Sequence, residues 1–243
     1  MANWSDPRSS TARFGAAQAG TRDAAYDAGL RSYMLSVYNY MTSGVLLTGI
    51  VALGFALSGY AAAVFQTPLR WVIVLAPLAF VFAMSFGQNR FSSGQLRAMF
   101  WGFAVAMGLS LSTIFLVFTQ ESIVQVFFIT AATFGGLSLY GYSTKRSLSG
   151  MGSFLIMGLI GLVIASVVNI FLASSALSFA ISVIGVLIFA GLTAYDTQQI
   201  KEMYDVNDDG TVAGRKAIMG ALRLYLDFIN LFIMLLQLFG SRE

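Results

Sequence analysis

Seven long apolar stretches follow one another along most of this chain, and they constrain its fold more than any other feature. They cover approximately residues 33–58, 71–86, 98–118, 123–142, 152–172, 176–195 and 217–239. A helix that crosses a bilayer needs about 20 mostly apolar residues. Hydrophobic residues make up 57% of the chain and charged residues only 10%, whereas a soluble domain carries about 25% charged residues. The sequence therefore predicts an all-α polytopic membrane protein with seven transmembrane helices in the lipid bilayer.

The chain divides into two parts by polarity. Residues 1–31 are polar and contain no apolar segment like that of a signal peptide. We predict that they form a polar cytoplasmic N-terminal arm. Residues 32–240 hold all seven apolar stretches and are predicted to form one seven-helix transmembrane domain.

The basic residues predict the orientation of the protein, because cytoplasmic loops carry an excess of Lys and Arg. The arm and the loops after the second, fourth and sixth stretches hold eleven of them, and the other side holds two. The N-terminus is therefore predicted in the cytoplasm and the C-terminus outside. A re-entrant seventh segment is the alternative, which would return the C-terminus to the cytoplasm. The eleven are Arg8, Arg13, Arg22, Arg31, Arg90, Arg97, Lys145, Arg146, Lys201, Arg215 and Lys216; the two are Arg70 and Arg242.

The chain contains no cysteine and no histidine. Thiol catalysis, disulfides and thiolate metal sites are thereby excluded, and so are the commonest general base and the usual zinc and haem ligands. The basic residues are read as topology markers, since they form no patch of the kind that binds nucleic acid. We predict that the protein is not an enzyme, has no cofactor and binds no nucleic acid.

Two aspartates interrupt the last two apolar stretches. Asp196 lies at the predicted cytoplasmic end of the sixth stretch, and Asp227 lies within the seventh. Asp227 is eleven residues beyond Lys216, which is about 16 Å along a helix. A charge at the centre of a bilayer costs on the order of 3 kcal/mol, so such a residue normally faces the bundle interior and has a partner.

The two stretches are predicted to be antiparallel neighbours, so the two carboxyl groups can meet. Two carboxylates within hydrogen-bond range do not both ionise readily, and they would share one proton. The pair also offers the oxygen ligands that calcium prefers, which makes Asp196 and Asp227 a candidate calcium site. Two structural alternatives stay open: Asp196 solvates a helix end, and Asp227 pairs with Arg223 one turn earlier.

Three further polar features bear on function. Arg90 follows the second stretch and either anchors that end to the cytoplasmic side or reaches an intramembrane aspartate. The segment from Asp205 to Gly210 resembles the first half of an EF-hand loop, but Lys216 stands where the loop needs its bidentate Glu, so we read it as a solvated acidic loop. Asn169 and Asn230, within stretches, are predicted to form hydrogen bonds between helices.

The two aspartate segments, Ala194-Tyr195-Asp196-Thr197-Gln198-Gln199 and Leu224-Tyr225-Leu226-Asp227-Phe228-Ile229-Asn230, resemble the transmembrane Bax-inhibitor-motif family. Gly108-Leu109-Ser110 and Leu139-Tyr140-Gly141-Tyr142 resemble it more weakly. The likeness covers approximately residues 30–240. It implies a fold in which six helices wrap the seventh, and, for a bacterial member, a place in the inner (plasma) membrane.

The resemblance also implies a pH-sensitive calcium leak across the membrane. The family's aspartate pair, which acts as the proton sensor, corresponds to Asp196 and Asp227. The arginine that latches the closed state by pairing with the seventh-helix aspartate corresponds to Arg90. Some bacterial members carry a glutamate within the second helix, and the second stretch here has no acid. The alternative function is a non-transporting regulator that binds another membrane protein, such as a membrane protease; a proton-coupled transporter is a third option.

Overall fold

The computed structural model describes residues 8–242, and its side chains from residue 26 onward. The described chain is helical. Its helices are α1 (Arg8–Leu57), α2 (Tyr60–Phe65), α3 (Leu69–Gly87), α4 (Ser93–Leu111), α5 (Gln120–Ser143), α6 (Ser149–Leu172), α7 (Ser175–Glu202) and α8 (Gly210–Phe239). A 3-10 turn (Ser112–Leu116) extends α4. This succession of helices confirms the predicted all-α fold for the described residues.

Seven of these helices are long and apolar enough to cross a membrane, and they match the seven predicted stretches. The apolar part of α1 is Tyr26–Leu57 and begins inside the predicted polar arm, most of which continues α1 toward its N-terminus. Residues 1–7 of the arm, and the side chains of Arg8, Arg13 and Arg22, lie outside what the structure describes. The short helix α2, which the sequence analysis did not predict, lies between α1 and α3.

Helix α8 is the centre of the bundle. In its most apolar segment 67% of the residues are buried, against 39% or less in every other span. It packs directly against α1, α4, α5 and α7, while α3 packs on α4 and α6 packs on α7. The prediction of a seventh helix wrapped by the others is confirmed, with four helices in direct contact and two outside them.

Local signals set the ends of the helices near the centre. Asp209 precedes α8, and its carboxylate accepts hydrogen bonds from the backbone N–H groups of Thr211 and Val212 at 2.8 and 2.7 Å. Such a cap satisfies backbone donors that have no partner within the helix. Ser92 and Gln95 form a reciprocal capping box at the start of α4. The α7–α8 connection is thus a defined turn that fixes where α8 enters the bundle.

The course of α8 can be followed from its neighbours at both ends. Near its start, Arg215 donates to the backbone carbonyl of Asn89, which precedes α4. At its end, the backbone N–H of Thr119, which follows the 3-10 turn after α4, donates to the carbonyl of Ser241 at 3.0 Å. Helix α8 therefore runs the full length of α4. Its length and apolar content are sufficient for a helix that crosses a membrane.

The two intramembrane asparagines behave differently. Asn169 on α6 donates to the hydroxyl of Ser178 on α7 at 2.7 Å and accepts from the backbone N–H of Ser174, so its predicted interhelical bond is confirmed. Asn230 on α8 donates to the carbonyl of Leu226 in the same helix at 2.8 Å, so its predicted interhelical bond was wrong. An i to i−4 bond gives the side-chain NH₂ group a partner without a neighbouring helix.

Candidate functional site

Asp227 lies in the interior of the bundle, on the central helix. It is 5% exposed, and the flanking residues Tyr225 and Phe228 are also buried. Tyr225 contacts the rings of Phe100 and Phe103 on α4, with ring centroids 6.3 and 4.9 Å away. Its hydroxyl bonds that of Thr48 on α1 at 2.6 Å. These contacts fix the rotation of α8, and Asp227, two residues later, lies on the opposite side of the helix, away from α4.

Asp196 lies on α7, the helix that packs most extensively on α8, and it is half-buried. Close backbone contacts hold this part of α7 in place. A Cβ added at Gly141 of α5 would overlap the backbone carbonyl of Ala194, two residues before Asp196. Small residues at such contacts let helices in lipid approach closely. The position of Asp196 is therefore set by α5 as well as by α8.

The side chains of Asp196 and Asp227 lie close together. Their carboxyl groups lie within hydrogen-bond reach of each other, between α7 and α8. One carboxyl oxygen of Asp227, Oδ2, is buried and receives no hydrogen bond from another side chain or backbone group in the described part of the chain. Two ionised carboxylates in this arrangement would repel each other. One proton on the pair removes that repulsion and supplies a donor.

Arg223 is the basic residue whose positive charge attracts both carboxyl groups. It lies one turn before Asp227 on α8, but its own side chain is exposed. Within residues 26–242, the structure has no salt bridge between Arg223 and either aspartate. The described structure therefore does not contain the direct ion pair that the alternative role of Asp227, as a partner of Arg223, requires. Arg223 instead attracts both acids without forming an ion pair with either in the described structure.

Arg90 lies apart from the aspartates. It belongs to the turn after α3, where its backbone N–H bonds the carbonyl of Gly87 at 2.8 Å, and its side chain is exposed. Over the described residues it forms no ion pair with Asp227 or Asp196. The structure thus brings together Asp196, Asp227 and Arg223, and it leaves the predicted latch Arg90 outside this group.

Tyr33 on α1 was missed by the sequence analysis. It is 7% exposed, and its hydroxyl has no hydrogen-bond partner in the described structure. Its ring lies against Tyr204, which follows α7, with centroids 5.7 Å apart. Tyr33 and Tyr204 therefore pack α1 against the start of the α7–α8 connection.

Comparison with known proteins gives these features a family. The family model described as "Inhibitor of apoptosis-promoting Bax1" matches residues 30–243. The chain belongs to the Bax inhibitor family. The predicted resemblance is therefore confirmed over the whole transmembrane domain. The match is to a family of membrane proteins and not to a known enzyme family.

Relatives from several bacteria cover nearly the whole chain. An uncharacterized protein of Rickettsia prowazekii is 48% identical over 226 residues, which are 92% of this chain and 95% of that protein. The inner membrane protein YbhL of Escherichia coli is 48% identical over 220 residues, 89% of this chain and 94% of that protein. An uncharacterized protein of Caulobacter vibrioides is 45% identical over 234 residues, 91% and 93% of the two chains.

In this member of the Bax inhibitor family, a chain of hydroxyl groups leads to the segment that carries Asp196. The Tyr38 hydroxyl on α1 bonds that of Ser138 on α5 at 2.6 Å, and Ser138 bonds the Thr197 hydroxyl on α7 at 3.0 Å. Thr197 donates in turn to the carbonyl of Thr193 at 2.7 Å. These bonds link three helices beside the aspartate pair. They were not predicted, because Ser and Thr are common in apolar helices.

The acidic residues of the α7–α8 connection are engaged locally. Asp205 accepts from the backbone and side chain of Asn207 at 2.9 and 3.0 Å, and these bonds lower the pKa of the Asp205 carboxyl. Asp208 pairs with Lys216, and Asp209 caps α8. Among residues 26–242 no three acidic side chains gather into a metal-binding group. A calcium ion at Asp196 and Asp227 would complete its six to eight oxygen ligands from carbonyls and water.

Proposed function

We propose that this protein is a pH-sensitive calcium leak channel in the bacterial inner membrane. The observation that carries the proposal is the meeting of the Asp196 and Asp227 carboxyl groups inside a seven-helix bundle. The inner-membrane location is inferred from the name of YbhL. The excess of basic residues on one side supports a cytoplasmic N-terminus and a C-terminus outside.

The shared proton is the proposed gate. While the pair is ionised, the Asp227 carboxylate attracts a guanidinium, and Arg90 pairs with it and closes the channel. Protonation removes that attraction and releases Arg90, so calcium flux rises as the pH falls. The exposed side chain of Arg90 in this structure is compatible with the released state. Calcium is the transported species, and carboxylate oxygens are ligands that it prefers.

The test is calcium flux in liposomes that contain the purified full chain and a calcium-sensitive dye. Flux is measured from about pH 6 to about pH 8, because two coupled carboxyl groups release their protons in steps that belong to the pair. Wild type is compared with Asp227→Asn, and Glu121→Gln serves as the matched control, since Glu121 is an exposed acid at the start of α5. We expect pH-dependent flux in wild type and in the control, and flux that no longer follows pH in Asp227→Asn.

Identical, pH-independent flux in all three proteins would refute the gate. Absence of flux from wild type, together with capture of another membrane protein from native membranes, would favour the alternative function. In that case the protein is a non-transporting regulator of a partner such as a membrane protease, and Asp227→Asn leaves the capture unchanged.

A further inference from the structure

A long apolar groove separates α1 from α5 on the surface of the bundle. The backbones of the two helices do not pack closely, although the Tyr38–Ser138 hydrogen bond spans the gap. The space between them has a volume of about 740 Å³. We call it the α1–α5 groove; it is lined by side chains that include Arg31, Met41, Leu46, Gly135 and Phe228.

The dimensions of the groove fit one hydrocarbon chain. Arg31 and Leu46 both line it and are fifteen residues apart on α1, which is about 22 Å along a helix. One leaflet of a bilayer has a hydrocarbon depth of about 15 Å, half of a core of about 30 Å. The floor reaches Phe228 on the central helix. The groove is thus long enough for one acyl chain of one leaflet.

The charges at one end of the groove favour an anionic headgroup. Arg31 lines that end, is exposed, and forms no ion pair with Asp27 one turn earlier or with any other acid of residues 26–242. Lys201 lies nearby, because its Nζ donates to the carbonyl of Tyr142, another residue of the groove, at 2.8 Å. These cations lie on the predicted cytoplasmic side, where the leaflet carries anionic lipids.

We propose that the α1–α5 groove binds one anionic phospholipid, with an acyl chain along the groove and the phosphate at Arg31. The bound chain would lie against Tyr38 and Ser138, the first two members of the hydroxyl chain that leads to Thr197. The proposal concerns a lipid site and does not depend on calcium transport. The lipid is recognised by two features at once, an apolar channel and a cation at its end.

Two neighbouring glycines provide a matched pair of variants. A Cβ added at either Gly135 or Gly136 meets no atom within 4 Å, so a side chain at either position begins in open space. Gly135 lines the groove, whereas Gly136 is exposed outside it. Gly135→Phe fills the groove. Gly136→Phe adds the same ring to the same helix and leaves the groove open.

The experiment is native mass spectrometry of the full chain, titrated with phosphatidylglycerol or phosphatidylcholine. Wild type and Gly136→Phe are expected to bind one phosphatidylglycerol more tightly than phosphatidylcholine, and Gly135→Phe is expected to lose this lipid. Arg31→Gln should weaken phosphatidylglycerol about fivefold, the equivalent of about 1 kcal/mol for one cation near the membrane surface. Arg70→Gln, an exposed arginine outside the groove, should have no effect.

Three results would overturn the proposal. The first is equal binding of the two lipids to wild type. The second is the same lipid binding in Gly135→Phe and Gly136→Phe. The third is loss of a dimer from Gly135→Phe alone, which would assign the groove to a second copy of the chain. Thermal melting of each variant confirms that it is folded, so that a loss of lipid can be attributed to the groove.

Discussion

The carboxyl groups of Asp196 and Asp227 lie within hydrogen-bond reach of each other, although they belong to different helices. The arrangement is costly in an apolar surrounding unless a proton or a cation is held with it. In the described chain, Arg223 is the arginine whose charge attracts both acids. The pair, this cation and the more distant Arg90 therefore define the experiments on function.

Arg223 and Arg90 are expected to affect flux in different ways. Arg223 attracts both acids in their ionised form, so Arg223→Gln favours the protonated pair and moves the flux transition to higher pH. Arg90→Gln removes the proposed latch and raises flux at the alkaline end, where wild type is closed. Liposome flux measured against pH distinguishes the two. Unchanged flux curves for both variants would show that neither arginine contributes to gating.

Asp205 gives a control for this pH dependence. Its pKa is lowered by hydrogen bonds from Asn207, so the folded protein holds the carboxylate more strongly than the unfolded chain does. The resulting stability is present above the ordinary Asp pKa of about 3.9 and is lost only as the pH falls through the lower folded value. Asp205→Asn is therefore expected to leave the flux curve near neutral pH unchanged. A shift of the flux transition in Asp205→Asn would indicate that the proton sensor lies in the α7–α8 connection.

Two buried tyrosines are expected to differ in how much stability is lost when the hydroxyl group is removed. Tyr225 bonds Thr48, which donates to the carbonyl of Ala104, so Tyr225→Phe should lower the free energy of unfolding by about 1 kcal/mol. The Tyr33 hydroxyl is buried without a partner in the described structure, so Tyr33→Phe should cause no loss. Thermal melting in detergent measures both. Equal losses would show that the Tyr33 hydroxyl has a partner in the membrane.

Gly141 tests the close contact between α5 and α7. Gly141→Ala places a methyl group against the backbone of Ala194, so it should cost about 1–3 kcal/mol of stability and disturb the nearby Asp196. Gly136→Ala is the control, because its methyl group meets no neighbour. Melting temperature and the pH dependence of flux are measured for both. A Gly141→Ala protein that behaves like the control would contradict the contact.

The absence of cysteine from the chain makes its orientation straightforward to test. Single cysteines at Ser147, between α5 and α6, and at Ser241, after α8, are labelled in whole cells with a thiol reagent that does not cross the inner membrane. We expect labelling at Ser241 and not at Ser147. Labelling at Ser147 alone would show that the topology is the reverse of the predicted one. Labelling at both positions would show that the protein does not have a single orientation.

The sequence predicted much of the fold and part of the site. The seven spans follow from length and apolar content, and the proximity of the two aspartates follows from their place on consecutive antiparallel helices. Tyr33 and the Tyr38–Ser138–Thr197 chain could not be predicted in this way. In lipid the outer face of a helix is as apolar as its inner face, so the sequence pattern does not show which face turns inward. The gap between α1 and α5 was hidden for the same reason.

The most direct test of the central claim is infrared spectroscopy of the reconstituted protein, which detects protonated carboxyl groups by their carbonyl absorption. Spectra are recorded across the pH range in which flux changes. We expect a carbonyl band in wild type that grows as the pH falls through the flux transition. The band should be lost or shifted in Asp196→Asn and in Asp227→Asn and unchanged in Glu121→Gln. A band that does not change with pH in this range, or one that both aspartate variants retain unaltered, would contradict a proton shared between Asp196 and Asp227.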